Sequence, residues 1–357
     1  MGIRSRRQCK TKTFNNTEIH IHRKDSGGGN YLKKEFSVSI VVCTYNRRRL
    51  FNECFESLLN QSYPKDNYEI IVVDSSDDFS EELIKNYKEK AERHRIMLKY
   101  FYQEPKGLAA ARNLGIKNAR GEIICFIDDD CVADRFWVEK LVEGFDNERV
   151  GGVGGKILIY NQEGLINYLP GIDQYSLIND WSCIAGANMA YRRDVLEQIG
   201  GFDPLFKFGG DDNDVTIRVK LRGYTLKYNE GAVIYFRHRP NLRELIRQQY
   251  GYGIGLSRLS KKYPNLQMRK AIFLLLIKLI WNIATFPGCL MKKDKKQMLL
   301  RRIINIIIVL SYLTGVISGY IFVRYPEEKI IPCDFKFFKP LADDFLREKI
   351  KNKFRLK

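Results

Sequence analysis

Apolar residues in the first part of the chain occur in short continuous runs, separated by segments in which they recur at helical spacing. The runs predict β-strands at residues 38–43, 69–74, 96–102 and 122–127, and the first of them is predicted to be buried on both faces. The first intervening segment predicts a helix because Leu50, Cys54 and Leu58 lie one turn apart. Four β–α repeats with short connections predict an α/β fold with a mainly parallel sheet and right-handed crossovers.

The alternation loosens after residue 150. A glycine-rich segment at 151–155 precedes a predicted strand at 156–160, and an irregular stretch extends to residue 182. Further short strands and helices are predicted at residues 186–191, 194–199, 214–222, 224–228 and 232–235. We expect this second half to pack on the first and complete one domain at residues 37–240. Residues 1–36 are polar, basic and glycine-rich near their end, which is typical of a flexible arm.

Polar or acidic residues follow three of the predicted strands. The first strand ends at Thr44, the second at Asp74, and the fourth continues into Asp128, Asp129 and Asp130. In parallel sheets, ligands bind in the crevice beyond the carboxyl ends of the strands. The topology therefore predicts a single site at this edge.

The three adjacent carboxylates, Asp128 to Asp130, repel one another, so a cation is expected beside them. On an extended segment alternate residues face the same way, which would place Asp128 and Asp130 together and turn Asp129 elsewhere. Carboxylate oxygens suit Mg²⁺ or Mn²⁺, and Mg²⁺ usually binds one or two carboxylates together with substrate phosphates. The alternative is a solvated turn whose acids cap a helix, but the position at a strand end favours the metal site.

A second acidic cluster, at 211–214, follows two glycines and precedes an amphipathic helix. Acidic residues in such a position can cap free N–H groups and complement the helix dipole. One or two would suffice for capping, and three are present. A carboxylate that faces a reaction centre could instead act as a general base that deprotonates a hydroxyl group. The residue types alone leave both interpretations open.

Seven segments, in order along the chain, resemble one known enzyme family. They are VSIVVCTYNR at 38–47, IVVDSS at 71–76, KGLAAARN at 106–113, FIDDD at 126–130, GANM at 186–189, GGFD at 200–203 and GDDND at 210–214. Together they make the chain similar to family 2 glycosyltransferases over roughly residues 37–240. The resemblance implies a single Rossmann-like catalytic domain of GT-A fold.

The resemblance also implies a nucleotide-diphosphate-sugar donor and a transfer that inverts the anomeric carbon. In the family pattern Asp74 accepts a hydrogen bond from the base, and Arg112 lies near the nucleotide and its phosphates. The residues that the resemblance assigns to the donor are Thr44, Tyr45, Arg47, Asp74, Arg112, Asp128 and Asp129.

Metal binding and catalysis are implied at further positions. Asp128 and Asp130 match the two acids of the family's DxD motif, and His238 matches a position that helps to hold the metal or diphosphate in some members. The implied Mg²⁺ or Mn²⁺ neutralises the diphosphate leaving group. Asp212 matches the catalytic base. The acceptor side is assigned to Asn188, Asp211 and Trp181, although Trp181 could equally pack in the core.

The chain departs from the family pattern at two positions. Asp211 stands before Asp212 where the family more often has Glu, and Asp129 stands between the DxD acids where Ser is usual. Both changes keep the acidic character of the site, but they blur which carboxylate has which role.

The net charge of +18 is localised. Residues 237–357 contain 26 Lys and Arg against 8 Asp and Glu, whereas residues 1–236 contain 34 of each. The eight cysteines form no CxxC pair and only four His accompany them, which does not fit a zinc site. The excess of positive charge flanks long apolar stretches instead of interleaving with aromatic residues, so nucleic acid is not the expected partner.

Two apolar stretches at 271–291 and 303–323 lie in this basic region, and the second has no charge over 21 residues. If either spanned a membrane with the core in the cytosol, a basic loop or the basic tail would lie outside, against the positive-inside tendency. The pattern favours helices on an anionic membrane at its cytoplasmic face. The alternatives are transmembrane helices and a buried helical subdomain. We predict a helical, membrane-associated region at 241–325 and a basic tail at 326–357.

These features predict a metal-dependent glycosyltransferase that acts on a saccharide or lipid-linked acceptor in the synthesis of cell-surface polysaccharide or glycolipid. A sugar-phosphate nucleotidyltransferase is the alternative enzyme, because it also uses Asp pairs and Mg²⁺. A basic nucleic-acid-binding protein is the alternative from another class.

Overall fold

The structure is a computed structural model that describes residues 37–77, 80–160, 184–239, 241–264, 268–286 and 295–331. The predictions for the arm at 1–36, for Trp181 and for the tail beyond 331 lie outside the described residues. The strands are β1 (Val38–Thr44), β2 (Tyr68–Asp74), β3 (Met97–Tyr102), β4 (Ile123–Asp128), β5 (Cys131–Ala133), β6 (Val150–Ile159), β7 (Asn188–Arg192) and β8 (Thr225–Phe236). The α-helices are α1 (Arg48–Leu59), α2 (Glu81–Arg93), α3 (Leu108–Asn118), α4 (Trp137–Glu143), α5 (Arg193–Gln198), α6 (Asp211–Leu221), α7 (Leu242–Lys262), α8 (Met268–Ala284) and α9 (Lys295–Phe322).

The strands form one sheet in the order β3-β2-β1-β4-β7-β6-β8-β5. β1 to β4 pair in parallel, and their register sets Thr44 opposite Asp74 and Cys43 opposite Asp128. β7 runs antiparallel to β4 and β6, whereas β6 and β8 are parallel. The predicted α/β class with a mainly parallel sheet is confirmed, and the three predicted strand ends meet at one edge.

Two hydrophobic clusters cover the two faces of the sheet. Ile40 and Val42 of β1 pack with Phe55 of α1 in one cluster. Val41, which lies between them, packs with Ala109 of α3 and with residues of α5 and α6 in the other. Burial on both faces explains why the sequences of β1, β2 and β4 are continuous apolar runs and do not alternate.

The sheet differs from the sequence prediction after residue 150. The glycine-rich segment forms part of β6. Glycine occurs there because neighbouring groups leave no room for larger side chains. A Cβ atom at Gly152 would lie 2.6 Å from the Tyr191 ring, and one at Gly155 would lie 2.2 Å from the Ala232 carbonyl oxygen. The two strands predicted at 224–228 and 232–235 are one strand, β8, with an irregularity in its pairing between them. β5 and α4, which have three and seven residues, were not predicted.

The helices of the basic region contact the domain through α7. Lys262, at the end of α7, lies 2.9 Å from Asp203 and 2.6 Å from Asp214 of α6, and all three side chains are buried. Asp203 also accepts a hydrogen bond from the Tyr325 hydroxyl at 2.6 Å. Among the described residues one helical segment, Met298–Phe322, is long and apolar enough to cross a membrane.

This ion cluster predicts a loss of stability in acid. Burial raises the pKa of Asp203, but hydrogen bonds from Tyr325 and Lys262 outweigh burial and lower the pKa to about 2. The stabilisation is therefore complete above the ordinary carboxyl pKa and is lost as the pH falls from about 4 through 2, by up to about 2 kcal/mol. Urea unfolding should show a shallower loss of stability over this range in Asp203→Asn. The exposed Asp66→Asn is the control, and equal slopes in the wild type and Asp203→Asn would contradict the prediction.

Candidate active site

The acids after β4 form a tight turn at the carboxyl edge of the sheet. Asp129 accepts a hydrogen bond from the Thr44 hydroxyl at 2.9 Å. One Arg47 nitrogen lies 3.0 Å from Asp129 and 2.9 Å from Asp130. The predicted pairing of Asp128 with Asp130 assumed an extended segment, but the strand ends at Asp128. Asp129 and Asp130 therefore share one arginine, and Asp128 turns to another.

Asp130 is held from the other side of the site by the segment that follows β8. An Arg239 nitrogen lies 2.9 Å from the Asp130 carboxylate, and the Arg237 backbone N–H donates to the Asp130 carbonyl at 3.0 Å. His238 lies between these two contacts in the chain. Its Nε2 atom is buried and has no hydrogen-bond partner among the described residues. Burial and the nearby Arg239 lower the pKa of His238 to about 4, so its ring is neutral at pH 7 with a lone pair available.

Arg112 joins the two acidic clusters. It is fully buried on α3, and it lies 3.0 Å from Asp128 and 2.6 Å from Asp211. The same guanidinium donates to the Gly186 carbonyl at 2.8 Å. Carboxylates that are far apart in the sequence thus lie within the span of one side chain.

Asp212 is placed by the first turn of α6. Its Oδ2 atom accepts a hydrogen bond from the Gly186 N–H at 2.9 Å, and its Oδ1 atom accepts from the Asn213 N–H at 2.8 Å. Gly210, which precedes the helix, has φ of 83°, a left-handed conformation that suits glycine. The two glycines therefore let the chain turn sharply into the helix and direct the acids at the sheet edge.

The residues at the ends of β1 and β2 that the resemblance assigns to the donor lie beside this cluster. Asp74 is buried and accepts hydrogen bonds from the Tyr100 hydroxyl at 2.5 Å and from the Ser76 N–H at 2.8 Å. Tyr45 is 51% exposed and lies in the loop between β1 and α1. In that loop Asn46 has φ of 52°, which Asn tolerates better than most residues. Thr44, Tyr45, Arg47 and Asp74 thus lie along one rim.

The residues assigned to the acceptor side have different surroundings. The Asn188 amide is fully buried, accepts from the Trp137 indole at 2.8 Å, and donates to the carbonyls of Lys156 and Ala232. These bonds engage both its oxygen and its nitrogen inside the fold. Asp211 is buried against Arg112. Trp181 lies outside the described residues.

Burial and mutual repulsion dominate the electrostatics of the acids. Burial raises the pKa of Asp129 to about 7 and that of Asp211 to about 6, although Arg47 and Arg112 oppose the shifts. Burial and the neighbouring Asp128 also raise the pKa of Asp130. Such acids hold protons more readily than exposed ones, and a cation beside them would favour their ionised form.

Within the described ranges, no group of three or more His, Cys, Asp or Glu side chains is arranged to hold a metal ion. Asp128 and Asp130 nevertheless both lie in the acidic turn, and the imidazole nitrogen of His238 has no hydrogen-bond partner among the described residues, although the three groups do not form one ligand set. Mg²⁺ sites that complete their coordination with substrate phosphates and water need only one or two carboxylates. The side chains present therefore fit a metal that is bound together with a diphosphate.

Sequence reasoning missed Arg239 and Gly186. Arg239 reads as an ordinary charge after the last strand, and only its position next to His238 could have drawn attention to it. Gly186 contributes backbone groups to both Arg112 and Asp212, and such contacts leave no trace in side-chain chemistry.

Two family models match the chain. The model described as glycosyl transferase family 2 matches residues 39–200, and the one described as glycosyl transferase family group 2 matches residues 123–324, more than half of the chain. Glycosyltransferase AglE of Haloferax volcanii is 29% identical over 224 residues, which are 61% of this chain and 72% of that protein. A glucosyl-dolichyl phosphate glucuronosyltransferase of the same organism is 27% identical over 271 residues, 69% of this chain and 84% of that protein.

Solved structures share the fold. The mannosyltransferase PcManGT from Pyrobaculum calidifontis, solved in complex with GDP-Man and Mn²⁺, superposes with a TM-score of 0.56 at 19% identity. The superposition covers 79% of this chain and 88% of that one. The GT-A-type fold that the sequence motifs imply is confirmed.

Proposed function

This chain belongs to glycosyltransferase family 2, and from that premise we propose that it moves a sugar from a nucleotide-diphosphate-sugar donor to a hydroxyl group of a saccharide or lipid-linked acceptor, with inversion. The observation that carries the proposal is the position of Arg112. Its contacts with Asp128 and Asp211 bring the acids after β4 and the acids of α6 to the same edge of the sheet.

The donor is assigned to the rim formed by β1, β2 and the acidic turn. Thr44, Tyr45 and Arg47 would line the nucleotide, and Asp74 would accept a hydrogen bond from its base. The half-exposed Tyr45 ring and the Arg47 guanidinium can contact a base and phosphates respectively. GDP-Man in the mannosyltransferase of the same fold supports this class of donor.

A divalent ion, Mg²⁺ or Mn²⁺, would be held by Asp130, Asp128 and His238. When bound with the donor, it would supply positive charge to the diphosphate as negative charge develops on the leaving group. Arg47 and Arg239, which contact Asp130, add fixed positive charge on the same side of the site. The Mn²⁺ ion in the complex of PcManGT supports the assignment.

Asp212 is the proposed catalytic base. Its hydrogen bonds from the Gly186 and Asn213 N–H groups fix the orientation of the carboxylate. An acceptor hydroxyl beside it would transfer its proton to Asp212 and attack the anomeric carbon from the face opposite the diphosphate. Asp211, buried against Arg112, would position the first turn of α6 instead of contacting the acceptor directly.

The acceptor is assigned to saccharides, either free or carried on a lipid, and the enzyme to the cytoplasmic face of a membrane. The similarity to a glucosyl-dolichyl phosphate glucuronosyltransferase supports a lipid-linked acceptor. The apolar segment Met298–Phe322 and the basic charge around it support contact with a membrane.

A screen of nucleotide-sugars by thermal unfolding tests the donor assignment. We expect one or a few nucleotide-sugars to raise the melting temperature of the protein, and the shift to require Mg²⁺ or Mn²⁺. Asp74→Ala and Arg47→Ala should reduce the shift, whereas Asp66→Ala, on the exposed surface, should not. Stabilisation by double-stranded DNA or RNA and by no nucleotide-sugar would contradict the proposal.

Removal of divalent metal should abolish transfer. If the metal supplies several kcal/mol of stabilisation to the leaving diphosphate, its removal with a chelator lowers the rate more than about a hundredfold. Addition of Mn²⁺ or Mg²⁺ should restore the rate, and Asp130→Asn should stay inactive at any metal concentration. An unchanged rate in the chelator would show that the fixed arginines suffice without a metal.

A further inference from the structure

Several large apolar side chains of α8 and α9 are exposed. We define an apolar platform by Phe273, Ile280 and Trp281 of α8 and by Leu310, Ile317 and Ile321 of α9. Their exposed fractions range from 47% at Leu310 to 66% at Ile321. Leu310, Ile317 and Ile321 recur at helical spacing and so share one face of α9. Exposed apolar side chains grouped on neighbouring helices in this way indicate a membrane or partner contact.

α9 is long enough to cross a bilayer, but it runs beside α7 along its length. Near its beginning, Ile304 packs against Leu245. In its middle the backbones touch, because a Cβ atom at Gly315 would lie 2.1 Å from the Tyr250 carbonyl oxygen. At its end, Lys261 donates hydrogen bonds to the carbonyl groups of the last turn, including Tyr320 at 2.9 Å. Any membrane that contained α9 from end to end would also have to contain α7.

The first two turns of α7 do not suit the hydrocarbon of a bilayer. Arg243, Glu244 and Arg247 are exposed in these turns, beside the beginning of α9. Charged side chains are strongly disfavoured in the hydrocarbon. The other end of α7 is fixed to the catalytic domain by the buried pairs of Lys262 with Asp203 and Asp214.

The chain also returns to the catalytic domain directly after α9. Tyr325, three residues beyond the helix, donates its hydroxyl to Asp203 at 2.6 Å, and the Ile331 N–H donates to the Lys262 carbonyl at 2.8 Å. A spanning α9 would place its two ends on opposite sides of a hydrocarbon layer about 30 Å thick. Both ends of α7 are instead held by the catalytic domain, because Arg239, just before the helix, pairs with Asp130, and Lys262, at its end, pairs with Asp203. α9 lies beside α7, so both of its ends face that domain.

We propose that α9 does not span a membrane and that α8 and α9 lie flat on an anionic bilayer, with the apolar platform inserted at the level of the headgroups. Charge complementarity identifies the occupant as an anionic lipid surface, since residues 237–357, which include α8 and α9, contain 26 Lys and Arg against 8 Asp and Glu. Arg301 and Arg324 are exposed near the two ends of α9. The assignment of a lipid-linked acceptor rests on the proposed function, but the flat orientation rests on the contacts of α7 and α9 alone.

This orientation would bring the base close to the bilayer. Gly251 and Gly255 of α7 pack against the loop before α6, where a Cβ atom at Gly255 would lie 2.3 Å from the Gly209 carbonyl oxygen. The loop continues directly into Asp211 and Asp212. One helix therefore contacts both the membrane-bound helix α9 and the loop that sets the base.

Flotation with vesicles tests the lipid contact. The full chain should bind vesicles that contain phosphatidylglycerol at least about tenfold more tightly than vesicles of phosphatidylcholine alone, and high salt should weaken that binding. The double variant Ile317→Glu and Ile321→Glu should reduce the binding at least about tenfold. Met97→Glu is the matched control, because Met97 is 51% exposed on β3, away from the platform. Unchanged binding in the double variant, or a dimer in solution that the double variant dissociates, would overturn the proposal.

Labelling of cysteines introduced at the two ends of α9 tests the orientation. Arg301→Cys and Glu327→Cys are each compared with the wild type for labelling by a membrane-impermeant maleimide. In intact cells neither variant should be labelled more than the wild type. In lysed cells both variants should gain label to the same extent. Label at one site only in intact cells would show that α9 spans the membrane. Metal-dependent stabilisation by nucleotide-sugars, measured on the same variants in detergent, is a separate readout, so failure of the donor assignment is distinguishable from failure of the flat orientation.

Discussion

Replacement of Asp212 by Asn is expected to lower kcat for sugar transfer by about 10²–10⁴-fold. The amide keeps the size of the carboxylate, and its oxygen can still accept the hydrogen bond from the Gly186 N–H. It cannot take a proton from the acceptor hydroxyl. The affinity for the donor should change by less than about threefold, because Asp212 lies on α6 and not on the donor rim.

Initial rates and donor titrations on the purified variant measure the two quantities separately. Asp146→Asn is the control, since Asp146 is an exposed acid that pairs with Lys227 away from the site. Retention of more than a tenth of the wild-type kcat would reject Asp212 as the base. A loss of donor affinity equal to the loss of rate would assign Asp212 to donor binding instead.

Replacement of Arg112 by Met should damage both stability and activity. Asp211 would lose its 2.6 Å partner and Asp128 its 3.0 Å partner, and Asp211 is buried. Removal of one partner from a buried ion pair lowers the free energy of unfolding by about 3–5 kcal/mol. Activity should fall more than about a hundredfold, because the contacts that hold the two acidic clusters together would be lost.

A double-mutant cycle separates the buried charge from general damage to the core. Arg112→Met with Asp211→Asn should be more stable than Arg112→Met alone, since the second change removes the unpaired carboxylate. The double variant should nevertheless remain inactive. Arg193→Met, which removes an exposed pair with Glu197, should change stability by less than about 0.5 kcal/mol. An Arg112→Met protein within 1 kcal/mol of the wild type would contradict the assigned role of Arg112.

β3, at the edge of the sheet, is only partly buried, but β1, β2 and β4 could be predicted from the sequence because each is buried on both faces. That condition demands continuous apolar runs, and such runs are visible without any knowledge of partners. The polar residues that end these runs also identified the edge where the site lies, because parallel strands align their carboxyl ends. Thr44, Asp74 and Asp128 meet there as a consequence of register.

Other features depend on contacts between distant parts of the chain. Asn188 is a polar residue in a motif. The sequence of the motif does not show that Trp137, Lys156 and Ala232 all form hydrogen bonds with its side-chain amide. The contact of Arg239 with Asp130 joins residues more than one hundred positions apart. The prediction that Asp128 and Asp130 face the same way relied on the alternation of side chains along an extended strand. The turn at Asp129 and Asp130 ends that alternation.

The apolar stretches near the end of the chain also combine features that the sequence shows with features that only the contacts show. Hydropathy and length allow residues 303–323 to span a membrane, lie on it or pack in a subdomain. The glycines of α7 and α9 allow the two helix backbones to approach closely, and this role is visible only in the structure. Charge patterning favoured the membrane surface, and the contacts at both ends of α9 add a geometric reason for the same choice.

The chemical identity of the released nucleotide tests the proposed reaction most directly. The purified protein would be incubated with Mn²⁺, the stabilising nucleotide-sugar and a lipid extract of the native host as acceptor. We predict release of a nucleoside diphosphate in a one-to-one ratio with the sugar transferred, and its loss in Asp212→Asn. Release of pyrophosphate, or of a diphosphate that Asp212→Asn still produces at the wild-type rate, would contradict the proposed transfer of a sugar by this site.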